Sequence, residues 1–88
     1  MTTETSLIEY PCDFPIKVFG AAHPDFAQAI ATVVQAHDAG FRAASIELRN
    51  SKTSRYISLT CTVRATSREQ LDALYRDLTS HPMVKMVL

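Results

Sequence analysis

The sequence of 88 residues is poor in cysteine, has no excess of charge of either sign and contains no long apolar run. Its two cysteines, Cys12 and Cys61, have neither the close spacing of a zinc site nor the density of a disulfide framework. Nine basic residues balance nine acidic ones, so the basic excess typical of nucleic-acid and anionic-membrane binders is missing. No apolar stretch approaches the roughly 20 residues that a membrane-spanning helix needs.

The first residues also lack the features of an export signal. Residues 1–9 contain neither a basic region nor an apolar core, which are the parts of a secretory signal peptide. With its two cysteines expected to stay reduced, the chain is predicted to be cytoplasmic. A chain of this length forms a single small domain that buries only about 60–65% of its unfolded surface, so a partner subunit would stabilise it.

Alternating and helical patterns predict four strands and two helices. The alternating segments are residues 14–20, 41–49, 55–65 and 83–88. A first helix opens at Pro24 and Asp25 and ends at Gly40, and a second begins with two overlapping capping boxes at residues 66–70. The apolar stripes of the two helices are Phe26, Ile30, Val33, Val34 and His37, and Leu71, Leu74, Tyr75 and Leu78.

The element order β-α-β-β-α-β predicts the fold. An α+β sandwich of the ferredoxin-like type has a four-stranded antiparallel sheet in the order 4-1-3-2, with both helices on one face. Residues 14–88 form this domain, and residues 1–13 are predicted to be a flexible N-terminal segment. Within the second strand, Ala44, Ile46 and Leu48 are expected to face one way.

Four stretches of the chain resemble a known family. They read FPIKVFG at residues 14–20, YISLT at 56–60, EQLDALY at 69–75 and MVL at 86–88. Across residues 14–88 the chain is similar to the YbeD-like family of small uncharacterised bacterial proteins. This resemblance implies a cytoplasmic sandwich similar to the ACT-like regulatory domains of amino-acid enzymes, and it brings no known catalytic residue. ACT domains usually carry a glycine after the helix-opening proline, whereas Asp25 follows Pro24 here.

The loop after the first strand is the candidate ligand site. It contains Gly20, Ala21, Ala22, His23 and Asp25 and leads into the first helix. Free backbone N–H groups at a helix N-terminus can hold a carboxylate or a phosphate, and Gly20 would allow close approach. Asp25 would repel an anion, and an ordinary strand-to-helix turn explains the same residues. A small-molecule sensor that binds an amino acid or another carboxylate is therefore an alternative hypothesis.

No residue pattern predicts an enzyme, a metal site or a cofactor. His23, His37 and His81 are not spaced at i, i+3 or i+4, and no carboxylate pair accompanies them. Acylphosphatases share the predicted fold, but they need an arginine in the loop after the first strand and a suitably placed asparagine. That loop has no arginine, and Asn50 lies in the turn between strands two and three. The expected protein has no catalytic residue, metal ligand or cofactor.

The sheet face opposite the helices is the candidate interaction surface. Alternation assigns to it Lys17, Phe19, Tyr56, Ser58, Thr60, Lys85 and Val87. The leading hypothesis is a regulatory or adaptor module that contacts a protein through this face or a sheet edge, with a homodimer as one possibility. RNA-recognition domains use the same face. Binding of RNA is a weaker alternative, because the third strand has an aromatic residue only at its start and the Gly-Phe-rich signature is absent.

Overall fold

Two long antiparallel strands form the centre of the protein, and a shorter strand flanks each of them. The computed structural model describes residues 9–53 and 55–88. Its elements are β1 (Cys12–Ala21), α1 (Phe26–His37), a 3-10 turn (Ala43–Ser45), β2 (Glu47–Asn50), β3 (Tyr56–Ala65), α2 (Arg68–Thr79) and β4 (Val84–Val87). The predicted element order is therefore confirmed.

The sheet has the topology that the sequence predicts. Its strand order is β2-β3-β1-β4, which is 4-1-3-2 counted from the other edge, and all three pairings are antiparallel. β1 and β3 pair along ten residues each, from Cys12 opposite Ala65 to Ala21 opposite Tyr56. The ferredoxin-like α+β fold is confirmed. Its two central strands, β1 and β3, have one regular surface on each side of the sheet.

One face of the sheet carries the hydrophobic core. Alternate residues of the two central strands are buried, while the residues between them lie on the opposite face, which we call the open face. Burial contributes roughly 1.5–3 kcal/mol for each large apolar side chain. The buried residues of β1 and β3 are Ile16, Val18, Ile57, Leu59, Cys61, Val63 and Ala65; those of the helices are Phe26, Ile30, Ala31, Val34, Leu71, Leu74 and Leu78.

The two helices begin in different ways. Ser67 is the N-cap of α2, and its hydroxyl accepts a hydrogen bond from the Gln70 N–H at 3.1 Å. Of the two overlapping capping boxes, this one supplies the N-cap bond, while the Gln70 side chain accepts the Thr66 N–H and not that of Ser67. At α1 the prediction was wrong by two positions, because Pro24 precedes the helix and Asp25 is an N-cap whose side chain makes no capping bond. The chain turns at His23 before the helix begins.

The second strand is shorter than predicted. Only Glu47–Asn50 pairs with β3, and residues 43–45 form a 3-10 turn in which the Ser45 hydroxyl donates to the Arg42 carbonyl at 2.6 Å. Phe41 explains the difference. It lies out of phase with Ile46 and Leu48, yet it is only 5% exposed, so the chain must leave the strand direction to bury its ring. Leu48 stays on the helix side of the sheet but is half exposed at the edge.

The ends of the sheet also differ from the prediction. β1 begins at Cys12, so Cys12 and Asp13 belong to the strand and not to a flexible segment, and Tyr10 packs against the core. Residues 1–8 lie outside the described part of the chain. Within the described residues, neither 12-residue helix is long and apolar enough to span a membrane.

Candidate functional site

The segment predicted to bind a ligand begins within β1, and at Gly20 the protein itself occupies the space beside the backbone. A Cβ atom on Gly20 would lie 2.5 Å from the Phe26 ring and closer still to the Met83 carbonyl oxygen. Gly20 therefore allows β1 to pack closely against β4 and α1, and the space where its side chain would be is occupied. The neighbouring Ala21 and Ala22 are exposed, and the Ala22 N–H donates to the Arg55 carbonyl at 2.9 Å.

Two His-Pro turns share one local geometry. In the first, His23 Nδ1 accepts the Asp25 N–H at 3.0 Å, and the His23 carbonyl accepts the Phe26 N–H at 3.0 Å. In the second, His81 Nδ1 accepts the Met83 N–H and the His81 carbonyl accepts the Val84 N–H, both at 3.1 Å. Two of the donors near the N-terminus of α1 are thus already bound. Among the described residues, no three His, Cys, Asp or Glu side chains form a group that could hold a metal ion.

The open face is a continuous surface on the two central strands. Lys17 lies opposite Thr60, Phe19 opposite Ser58, and Tyr56 pairs with Ala21 at the end of the strand. Opposite residues of an antiparallel pair point to the same face. The five open-face residues predicted on β1 and β3 (Lys17, Phe19, Tyr56, Ser58 and Thr60) therefore lie together.

Of the two residues predicted on β4, Val87 was assigned to the wrong face. Val87 lies opposite the buried Val18, so it is on the helix side and packs against the core. Met86 lies opposite Phe19 and therefore faces outward. The next pair joins Gly20 to Val84, which leaves Lys85 as the extra residue of a β-bulge. A one-residue irregularity of this kind moves every later side chain to the other face, and no periodic pattern reveals it.

The apolar side chains of the open face form a patch. Backbone hydrogen bonds of 2.8 and 3.0 Å pair Leu88 with Lys17 and continue the strand beyond β4. Tyr56, Met86 and Leu88 are 50%, 49% and 63% exposed, and Leu48 is the only other large hydrophobic side chain in the described residues that is so exposed. Phe19 lies between them and is half-buried. We call Phe19, Tyr56, Met86 and Leu88 the apolar patch.

Charged side chains of both signs lie beside the apolar patch. Glu47 and Arg49 lie opposite Thr60 and Ser58, on the β2 side of the same face. At the far end of the central strands, Arg64 contacts Asp13 at 3.2 Å, and both side chains are more than half exposed. Such an exposed pair contributes under about 1 kcal/mol to stability. A surface that combines an exposed apolar patch with charged side chains of both signs has the composition of a transient protein interface.

Residues in the described part of the chain line two hollows beside the open face. The smaller, of about 100 Å³, lies between Phe19, Arg49, Tyr56 and Ser58. The larger, of about 380 Å³, lies beside β3 where β2 has ended, and Phe41 is part of its lining. The carboxylate and guanidinium groups at its rim belong to Asp13, Asp38, Arg42 and Arg64.

Asp38 holds the larger hollow in shape. One of its oxygens accepts the Arg64 N–H at 2.9 Å, and the other accepts the Gly40 N–H at 3.2 Å. The Asp38 carboxylate thus accepts the backbone N–H of β3 that a longer β2 would have bound.

Cys61 is a core residue and not a reactive group. Its side chain is fully buried between the sheet and the helices. Burial removes the thiolate from water and raises the pKa of the Cys61 thiol to about 11. The sequence-based interpretation of Cys61 as a small buried hydrophobe is confirmed.

The thiol of Cys61 should stay unreactive while the protein is folded. In the Cys12→Ser variant, where Cys61 is the only thiol, we expect a thiol reagent at about pH 8 to label the protein only after denaturant is added, since almost no thiolate forms that far below the pKa. Labelling of the folded variant should accelerate as the pH approaches 11. Mass spectrometry measures the labelled fraction. Rapid labelling without denaturant at the lower pH would contradict the prediction.

Comparison with known proteins identifies the family. A family model described as "Protein of unknown function (DUF493)" matches residues 5–88. A UPF0250 protein of Bordetella pertussis is 64% identical over 85 residues, which are 97% of this chain and 93% of the relative. A UPF0250 protein of Nitrosomonas europaea is 51% identical over 86 residues, or 98% and 99% of the two chains. The chain therefore belongs to the DUF493 or UPF0250 family of small bacterial proteins, the YbeD-like family that its sequence resembles.

Proposed function

We propose that this protein is a non-enzymatic regulatory or adaptor module that binds another protein chain through the open face and acts in the cytoplasm. The observation that carries the proposal is the apolar patch. Three of the four most exposed large hydrophobic side chains in the described residues lie on one face of the sheet, beside the half-buried Phe19. An exposed apolar cluster with a polar rim is typical of a surface that a partner covers.

The geometry of the loop after β1 favours this proposal over the small-molecule sensor. The space beside Gly20 is occupied by Phe26 and by the Met83 carbonyl, so a carboxylate has no room at that glycine. His23 and its own carbonyl bind two of the N–H groups near the start of α1. A ligand at this loop would have to displace bonds that hold the turn.

The charge of the open face favours a protein partner over RNA. Lys17, Arg49 and Arg64 are offset by Glu47 and Asp13 on the same face. RNA binding relies on a surplus of positive charge along the phosphate backbone. A face that is nearly neutral and carries an exposed apolar patch suits a protein surface better.

Site-specific photocrosslinking tests the proposal. Replacing the exposed Tyr56 with p-benzoylphenylalanine puts a crosslinker on the open face, and the same replacement at Gln28, exposed on α1, is the matched control. In growing cells we expect discrete protein adducts from Tyr56 and not from Gln28. Adding Met86→Lys should remove them, because it places a charge in the apolar patch. Tyr56 adducts that are absent, or that survive Met86→Lys, would overturn the proposal.

A further inference from the structure

We propose that the open face binds a second copy of this chain, face to face, about a two-fold axis that crosses the strands near their centre. This inference deepens the proposed function, on which it rests, by naming the partner. It comes from the order of the side chains across the sheet, which the strand register defines.

Two neighbouring rows of residues cross all four strands on the open face. The first row, which we call the Glu47 row, is Glu47, Thr60, Lys17 and Leu88 from β2 to the β4 side. The second, the Arg49 row, is Arg49, Ser58, Phe19 and Met86 in the same order. Each row therefore has a charged residue on β2, a hydroxyl on β3 and an apolar side chain at the β4 edge.

A two-fold axis that runs between the two rows and parallel to them superposes each row on the other row of the second copy. Symmetry requires such a contact to be self-complementary. Glu47 then lies opposite Arg49 of the second copy, an ion pair made twice. On β1, Lys17 lies opposite the ring of Phe19, a favourable position for a cation.

The same operation brings the apolar edges together. Leu88 lies opposite Met86 of the second copy, and both are about half exposed or more in the free chain. On β3 the two-fold axis places the Thr60 hydroxyl of one copy opposite the Ser58 hydroxyl of the other, and the two can hydrogen-bond to each other. All four positions across the sheet are thus matched by one operation.

Other two-fold arrangements of the same face are much poorer. An axis along the Glu47 row would place Lys17 on Lys17 and Glu47 on Glu47, and an axis along the Arg49 row would place Arg49 on itself. An axis parallel to the strands would place Glu47 on Leu88 and Arg49 on Met86. Like charges in contact, and charges buried against apolar groups, both oppose association. The sequence of side chains therefore selects one register.

The size of the face predicts a weak dimer. The strands contain ten, four, ten and four residues, which at the usual strand spacing and rise cover roughly 450 Å² per copy. The total of about 900 Å² is below the roughly 1,200 Å² of stable interfaces and falls among weak, transient ones. Packed sheets also cross at about 30°, so the match is best near the axis. The zero net charge of the chain removes the long-range repulsion that would oppose such a contact.

Charge reversal tests both the dimer and its register. Sedimentation velocity of the purified protein, from micromolar to millimolar concentration, should show a reversible monomer–dimer equilibrium. Arg49→Glu and Glu47→Arg should each weaken it by about tenfold or more, because like charges then face each other. The double variant carrying both reversals restores opposite charges and should dimerise like the original chain. Arg76→Glu, exposed on α2, is the matched control and should change nothing.

Several outcomes would overturn the inference. The dimer is disproved if the wild-type protein stays monomeric at every concentration. It is also disproved if the single charge-reversal variants dimerise normally. A double variant that is folded but does not regain dimerisation contradicts this register. These failures are separate from a failure of the proposed function, because a monomeric protein could still form Tyr56 adducts with a different chain, identified by mass.

Discussion

Replacing Gly20 with alanine is expected to destabilise the protein by about 3 kcal/mol, because the new methyl group has no space. Its carbon would press on the Phe26 ring and on the Met83 carbonyl. Phe26 is fully buried in the core, and Met83 directly precedes β4, so neither can move without loss of packing or of strand pairing. For a domain of this size we expect a fall in melting temperature of more than about 10 °C.

Gly40→Ala is the matched control for this prediction. A Cβ atom on Gly40 would meet only an Asp38 carboxylate oxygen, at the ordinary contact distance of 3.8 Å. The substitution restricts the unfolded chain and should leave stability unchanged or raise it by about 0.5 kcal/mol. Chemical denaturation of both variants measures the difference. Equal effects of the two substitutions would show that the Gly20 contact does not limit packing.

Replacing Gln70 with glutamate is expected to cost about 2–3 kcal/mol, because one amide side chain joins three parts of the fold. Its oxygen accepts the Thr66 N–H at 2.7 Å and the Thr66 hydroxyl at 3.2 Å. Its nitrogen donates to the carbonyls of His37 at 2.7 Å and Arg64 at 3.1 Å. A carboxylate would keep the two accepted bonds but would bring a second oxygen against two carbonyl oxygens.

Gln28→Glu provides the same chemical change at a side chain that forms no such bonds with the described residues. Gln28 is exposed on α1, and a surface substitution of this kind changes stability by less than about 0.5 kcal/mol. Gln70→Leu adds a second comparison, since it removes all four bonds without adding charge and should also destabilise. Urea unfolding followed by circular dichroism gives the three free energies. If Gln70→Glu unfolds at the same urea concentration as Gln28→Glu, the amide does not join the elements.

The sequence predicts the fold well where one pattern dominates. In β1 and β3, strict alternation from Ile16 to Val18 and from Ile57 to Ala65 assigns every side chain to its observed face. The helix stripes are equally regular, and Ser67 marks the start of α2 through its capping bond. In these segments local propensity, burial and hydrogen bonding favour the same structure.

The prediction fails where two demands compete. Between α1 and β2, burial of Phe41 conflicts with the alternation of Ile46 and Leu48, and the larger apolar side chain determines the path of the chain. The role of Gln70 was missed because a capping-box pattern predicts a local contact, whereas its nitrogen reaches the end of α1. Such a contact depends on how the helices pack, which spacing along the chain does not contain.

The open face could be predicted in its central part only. Lys17, Phe19 and Tyr56 follow from alternation, but Met86 and Leu88 depend on the pairing of β4 with β1. The positions of the charged residues Glu47 and Arg49 opposite β3 likewise require the observed register. The apolar patch can therefore be recognised only once the register of strand pairing is known.

The bulge in β4 keeps the Lys85 side chain out of the protein interior. In an uninterrupted strand that kept Val87 opposite Val18, Lys85 would sit across from Gly20 and its ammonium group would point toward the Phe26 ring. The irregularity puts Val84 in that place instead. Lys85 is thus the single residue of this strand whose deletion would straighten the backbone while leaving each of its neighbours on its present side.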